Sequence, residues 1–475
     1  MKIRNLCLFA VILLSCSGLL FAEENVDKKL ISLDDAITTA VCNNTLITSV
    51  IEGRKAAVQG MKSARADFLP KATAGYSYTR LHRTPSSLGI PVGSKDNFAF
   101  NFDIDQPLFT GFALSTTYKM AKLGIDIKDI EKEQAVFDVV KEVKLAYYNI
   151  LLSKKFYEVA DKSVLNLQSH TKDAKAFYDQ GLIPYNDLLE AQVALANAVQ
   201  DKVLAESNVG IGTAMFNTLL RFDVNQSVEL IDLDKITTQT LNLNDLIAQG
   251  VQNRPEIKLM ELQLKNADYL VKLAQSEYYP QAFANLNYST ASTNINTSDD
   301  EFGGQNDSAA ATVGVSWTFF EWGKTRAEVK KSRYEKSAIA EQYKGIEDLV
   351  KLEVKTSYLN LKVAETNINT AKEQLAQAQE NYRITNLQFE QQVTTSSKVL
   401  DAQLYLTKSE SNYYTALYGY MTALAELERA VASKITEPKA ELDKESKSQP
   451  EPTQPPQPKP DKAQQIKDFF NKSKK

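Results

Sequence analysis

Asp103 and Asp105 stand two residues apart in NFAFNFDIDQPLF, residues 97 to 109, and Asn101 continues their spacing. In a strand, a period of two puts these three polar groups on one face and Phe98, Phe100, Phe102 and Ile104 on the other. Paired carboxylates on a strand create a local negative field on that face. No nucleophile or metal ligand accompanies them: His82 and His170 are the only histidines. No cysteine cluster, strand-GxGxxG-helix, phosphate loop or nucleophile elbow occurs, so neither an enzyme, a zinc site nor a cofactor is expected. The abundant carboxylates elsewhere lie on long helical patterns and read as solvated faces. The two faces of this strand admit two settings, a half-buried strand on a soluble core or a membrane strand between lipid and water.

The elements that carry such a strand are set by the rest of the chain. Its 475 residues hold 55 basic and 59 acidic side chains, a near-neutral balance that suggests no nucleic-acid partner. Eighteen glycines is a low count for this length and favours long helices over a turn-rich β fold. The N-terminus, MKIRNLCLFAVILLSCSGLLFAEE, places Lys2 and Arg4 before an apolar run and reads as an export signal over 1–22, cleaved after Ala22. Leu13-Leu14-Ser15-Cys16 offers the alternative of a lipidated Cys16, against which the apolar residues that follow it argue. With the leader removed, Cys42 is the only cysteine and no intrachain disulfide is available. No later apolar run is long enough for a membrane helix, so a membrane-spanning mature chain must use strands.

The chain is two copies of one unit. LISLDDAITTAVCNNTLI (30–47) aligns with LNLNDLIAQGVQNRPEI (241–257), pairing Leu33 with Leu243 and Asn43 with Asn253 at a shift of 243 − 33 = 210. DFLPKATAGYSY and EYYPQAFANLNY keep that shift, with Pro70 on Pro280. From LFTGF and FFEWG onward it is 319 − 108 = 211, and it then runs without a gap through AYYNILL and SYLNLKV, and LLEAQVAL and VLDAQLYL. Repeat 1 is taken as 23–230 and repeat 2 as 231–433.

Each unit predicts the same order: a helical segment (33–67 or 243–277), a proline-led strand, a polar loop, a second strand, a very long helix and a returning helix. The strands are expected at about 70–82, 97–109, 280–292 and 309–320, and the helical hairpins at about 112–219 and 323–432. In the strands Ala72, Ala74, Tyr76 and Tyr78 oppose Thr73, Gly75, Ser77 and Thr79, and Ala311, Val313, Val315 and Trp317 oppose Thr312, Gly314, Ser316 and Thr318. One apolar and one small or polar face fits a membrane barrel wall. On the helices alone, with small and apolar residues recurring along the returning arm, an exported structural or adaptor coiled coil without a pore is the competing reading. Four strands cannot enclose a channel, because single-chain barrels begin at eight. Two copies would give eight strands, three 12 and four 16, and the spacing does not choose among them.

Tandem units of this order, with LFTG and FFEWG opening the long helices, resemble the TolC outer-membrane channel family over about residues 30 to 432. The resemblance implies a mainly α fold with membrane β: a homotrimeric outer-membrane β-barrel, four strands per chain, continued by a long periplasmic α-helical barrel. It also implies a passive duct for efflux of small molecules or type I protein secretion. The implied partners are a periplasmic adaptor (membrane fusion) protein, an inner-membrane efflux pump or ABC secretion transporter, and outer-membrane lipid.

YDQGLIPYNDLLEAQ (178–192) resembles the family's periplasmic tip, and the resemblance makes Gly181, Leu182, Ile183, Pro184 and, on the second tip, Val393 the adaptor-contact residues. Gly181 tolerates a left-handed turn, Pro184 suits a first helical turn, and Leu182 and Ile183 are read as exposed. The second turnaround, FEQQVTTSSKVLDAQ (389–403), departs from the family: Gln392 stands at a glycine position, and Phe389 and Thr394 at those of the tyrosine and arginine that hold the entrance shut. Asp187, Glu190, Lys398 and Asp401 are the entrance residues, with Lys398 in place of the first of two ring aspartates. Under this resemblance Asn101, Asp103 and Asp105 face the barrel lumen, while Phe98, Phe100, Phe102, Ile104 and Trp317 face lipid. Residues 434–475, with EPKAELDKESKSQPEPTQPPQPKPDKAQQ, read as a disordered Pro-rich tail ending in a short basic segment.

Overall fold

The computed structural model describes residues 29–88, 90–91, 93–232, 241–293, 295 and 307–433; the export signal, Cys16 and the Pro-rich tail lie outside them. Repeat 1 contains β1 (Lys29–Ile31), α1 (Leu33–Asn43), α2 (Thr45–Ala66), β2 (Lys71–Arg80), the two-residue strands β3 (Ser86–Ser87) and β4 (Ile90–Pro91), β5 (Asp96–Thr110), α3 (Ala113–Asp179), α4 (Tyr185–Leu220) and β6 (Val228–Leu230). Repeat 2 contains α5 (Leu243–Asn253), α6 (Pro255–Ser276), β7 (Gln281–Ser292), β8 (Asp307–Ser316), α7 (Lys324–Glu390) and α8 (Ser396–Val431). Helix lengths match across the repeats: 11, 22, 67 and 36 residues in each. At about 1.5 Å per residue the 67-residue helices reach about 100 Å.

The opening helical segment of each repeat is two helices rather than one. Asn44 leaves the helical region at φ −63°, ψ 134° and its side chain accepts from the Leu46 N–H, capping a new helix. In repeat 2 Arg254 takes φ −62°, ψ 130°, because the residue before a proline is pushed out of the helical region, and Pro255 opens α6.

β2, β5, β7 and β8 form one antiparallel sheet in that order. The fourth strand is shorter than expected. Gln281 pairs with Ser316, and Pro280 just before it has no N–H to extend the ladder, so Trp317 stands beyond the strand with its indole donating to the Tyr278 carbonyl at 3.2 Å. The strands' main packing partners are one another, and both β2 and β8 are exposed at the sheet edges. Among the described residues no helix packs extensively on either face of this sheet, whereas a soluble sandwich or α/β sheet buries one face at least.

The apolar core sits at mid-height of the helices. Val139, Val143, Tyr147 and Ile150 of α3 pack with Phe216 and Leu220 from the end of α4, Val354 of α7, and Leu427 and Val431 of α8. β1 pairs in parallel with β6, and Tyr147 donates its hydroxyl to the Ile231 carbonyl at 2.7 Å, tying the connection between repeats to this core. Below it α3 lies between α4 and α8, and α8 between α3 and α7; above it the order is α2, α3, α6, α7.

Candidate functional site

The sheet brings the residues of NFAFNFDIDQPLF together as alternation requires. Directly opposed residues share a face, and β5 opposes Asp105 to Lys71 and Asn285, Asp103 to Thr73 and Asn287, and Asn101 to Gly75 and Ser289. Asn287 donates to Asp103 at 2.7 Å and Asn285 to Asp105 at 2.8 Å. These bonds hold each carboxylate at a fixed height while leaving acceptor positions free. On the same face Phe283 lies over Gly314, where a β-carbon would come within 2.6 Å of the ring. Gly314 is the repeat mate of Asp103 (314 − 103 = 211), so an aromatic ring occupies the place where a further acid would stand. The other face carries Phe98, Phe100, Phe102 and Ile104 beside Tyr76, Tyr78, Leu286 and Tyr288, with Tyr78 and Phe98 rings 4.7 Å apart.

The two helical turnarounds form the far end. Each turns through a left-handed residue, Gly181 at φ +72° and its repeat mate Gln392 at φ +60°. Leu182 is 47% exposed and Val393 73%. Ile183, read from sequence as exposed, instead packs on the cluster of Ala174, Leu188, Ala191, Phe389 and Val399, because the turn folds it back beneath α4. Pro184 precedes α4 with φ −73° and ψ 157°, and Asp187 lies in the first turn, accepting from Asn186 at 3.1 Å. Glu190 is exposed. Lys398 and Asp401 are exposed on one face of α8, 3.8 Å apart, so their opposite charges partly cancel.

Phe389 is buried between Phe177 and His170, with ring centroids at 5.3 and 4.7 Å. His170 is itself buried; its Nε2 lies 2.9 Å from Ser396 Oγ, and its Nδ1 has no hydrogen-bond partner in the described structure. Burial lowers the His170 pKa, opposed by Asp173. This joint locks hairpin α3/α4 to hairpin α7/α8, and nothing in the local sequence marks it: 226 residues separate His170 from Ser396.

A second joint that sequence reading did not find lies at mid-height. Arg429 of α8 donates to Asp138 of α3 at 2.7 Å and to Glu256 of α6 at 2.6 Å, while Arg254 also grips Glu256 at 3.0 Å. Lys144 of α3 pairs with Glu428 of α8, and Lys258 of α6 with Glu133 of α3 at 2.9 Å. Burial pushes the Glu256 carboxyl up, but hydrogen bonds and charges from Arg254 and Arg429 outweigh it and bring it down to about 2.

A four-stranded antiparallel sheet joined to helices about 100 Å long in two matching units is an arrangement that known proteins share. A family model described as outer membrane efflux protein matches residues 36–214 and 246–433. The chain belongs to the outer membrane efflux protein family. The outer membrane protein TolC of Vibrio cholerae is 20% identical over 402 residues, covering 82% of this chain and 88% of that one. The outer membrane efflux protein BepC of Brucella suis is 18% identical over 405 residues, covering 82% and 85%. The CmeC outer membrane channel of Campylobacter jejuni superposes with a TM-score of 0.72 at 15% identity, over 86% of this chain and 87% of that one. As a member of the efflux protein family, the chain is an outer-membrane channel protein with a large periplasmic portion.

Proposed function

We propose that three copies of this chain close a barrel of 3 × 4 = 12 strands and, below it, a helical barrel, making a passive duct across the outer membrane and periplasm. One observation carries the reading: the sheet is open at β2 and β8, and in the order β2-β5-β7-β8 these edges run in opposite directions. Each β8 therefore meets the next chain's β2 antiparallel, a head-to-tail contact that closes a ring and leaves no edge. Twelve strands enclose water, which eight do not.

In that ring the aromatic face carrying Phe98, Phe100, Phe102 and Ile104 contacts lipid, with Trp317 at its border. Asn101, Asp103 and Asp105 line the lumen as rings of three, the two acidic rings held by Asn287 and Asn285. Asp187, Glu190, Lys398 and Asp401 ring the entrance, and exposed Leu182 and Val393, beside Gly181 and Pro184, offer apolar knobs to the helices of a periplasmic adaptor. Ile183 acts from beneath as a packed anchor. An inner-membrane efflux pump or ABC secretion transporter supplies the energy and the choice of cargo, small molecules or secreted protein, since nothing along the duct performs chemistry. Density-gradient fractionation and light scattering test the assembly. The expected result is an outer-membrane protein of three-chain mass; a monomer recovered from the periplasm refutes it.

A further inference from the structure

The two repeats let contacts inside one chain specify contacts between chains. Within the chain α3 packs on α6 above and on α8 below. Under the repeat these elements correspond to α7, α2 and α4, so a ring of repeats needs α7 of one chain to pack on α2 and α4 of the next. The exposures agree with such a vacancy in the single chain. Leu349 on α7 is 59% exposed and Leu46 on α2 is 50% exposed, although each is the mate of a residue inside the ionic joint. Leu349 corresponds to Asp138 (349 − 138 = 211) and Leu46 to Glu256 (256 − 46 = 210), while Arg429 corresponds to Thr218 (429 − 218 = 211).

We infer that the face of α2 and α4 docks onto α7 of a second copy, in the register of the in-chain α3–α6–α8 joint, and that Leu349, Leu46 and Thr218 replace there the Asp138–Glu256–Arg429 triad, while Lys344 and Lys355 of α7, the mates of Glu133 and Lys144, meet neutral Thr48 and Asn217 instead of opposite charges. At mid-height Leu349 of one chain enters the space between Leu46 and Thr218 of the next. At the tip, His170, Ser396 and Phe389 map to Asn381, Tyr185 and Tyr178. The last two are 55% and 38% exposed, with rings 5.2 Å apart, and they present hydroxyls to the exposed Asn381 amide of the neighbour. Apolar contact suits an interface that must assemble from separate chains, because its leucines lose nothing when desolvated, whereas two unpaired carboxylates and a guanidinium would each pay heavily before meeting.

The seam presupposes the ring proposed above, and the test separates the two. In the full-length protein with Cys42→Ser, Leu46→Cys and Leu349→Cys are combined and treated with a short bis-maleimide, and the native mass is measured in parallel. A trimeric mass with covalent dimers and trimers on denaturing gels, absent from either single-cysteine variant, is expected. A trimeric mass without interchain products, or products confined to one chain, overturns the seam. A monomeric mass overturns the ring itself. If the double-cysteine protein does not fold, Leu349→Asp with Thr218→Arg, which rebuilds the Asp138–Arg429 pair across the seam, supplies the second test. Leu349→Asp alone dissociates the trimer and the added Thr218→Arg restores it; no restoration overturns the register.

Discussion

The joint between the repeats inside one chain and its counterpart on the chain's outer surfaces are built on the same backbone with opposite chemistry. Inside, Asp138, Glu256 and Arg429 form a half-buried ionic cluster, reinforced by Lys144–Glu428 and Lys258–Glu133. Outside, the mates of that triad are Leu349, Leu46 and Thr218, and each reinforcing pair keeps one charge, as Lys355 with Asn217 and Lys344 with Thr48. Elements joined by the chain meet with their partner always present, so charges can be matched once and kept. Surfaces that meet a separate copy do better with side chains that tolerate both exposure and burial. The tips repeat this contrast: Phe389 is sealed between Phe177 and His170, while its mate Tyr178 lies on the surface.

Arg429→Leu leaves Asp138 and Glu256 without their shared cation. It should destabilise the fold by about 3–5 kcal/mol in thermal or denaturant melts, whereas Thr218→Leu, on the uncharged counterpart, should change stability by less than about 1 kcal/mol. At the tip, Phe389→Ala should cost about 3 kcal/mol of local stability, read as faster hydrogen exchange over residues 165–180, and Tyr178→Ala about 1 kcal/mol or less.

The turns into the long helices give a third contrast. Gly111 (φ +61°), the mate of Trp322, would place a β-carbon against the Ser276 carbonyl, while Gly323 (φ +87°), one position further along and the mate of Phe112, meets nothing nearby. Gly111→Ala should therefore destabilise by more than about 2 kcal/mol and Gly323→Ala by only the left-handed strain, about 1 kcal/mol, in the same melts.

Acid sharpens the tip comparison further. The folded pKa of His170 lies below its unfolded value of about 6.5, so its stabilising contribution is present above that pH and is lost as pH falls through the folded value. Protection factors at the tip, hydrogen exchange corrected for its intrinsic pH dependence, should fall on acidification, and His170→Gln should remove that fall. Glu256, at about 2, follows the same sign in a lower window: its contribution is complete above its unfolded pKa of about 4.5 and falls below it. The smallest change is expected from Lys398→Asp, which should leave folding intact and raise cation selectivity in open-pore recordings; unchanged selectivity removes residue 398 from the constriction.

Much of this fold could be read from the sequence because the repeat supplied two readings of every element. The 67-residue helices and both hairpins lie within a residue or two of their expected bounds, since long periodic segments leave little choice of register. The breaks at Asn44 and Arg254 were hidden by continuous helical periodicity, although Pro255 marked one of them. Alternation alone puts Trp317 in a strand, whereas Pro280, just ahead of the partner strand, ends the ladder. Ile183 looked exposed because the direction in which a tight turn points a side chain depends on its φ and ψ values. The polar face with Asp103 and Asp105 was legible. Its Asn285 and Asn287 partners were not, because β5–β7 pairing joins residues about 180 apart. The ionic joint had a readable trace, charged residues in one repeat opposite leucines in the other, and only the three-dimensional packing gives that mismatch its meaning.

The central claim is that chains of this sequence assemble into a water-filled duct. Single-channel recording of the purified outer-membrane protein in a planar bilayer decides this. Discrete conductance steps from a complex of three-chain mass are expected; a folded protein of that mass that never conducts, even with the tip loosened by Phe389→Ala, refutes the duct.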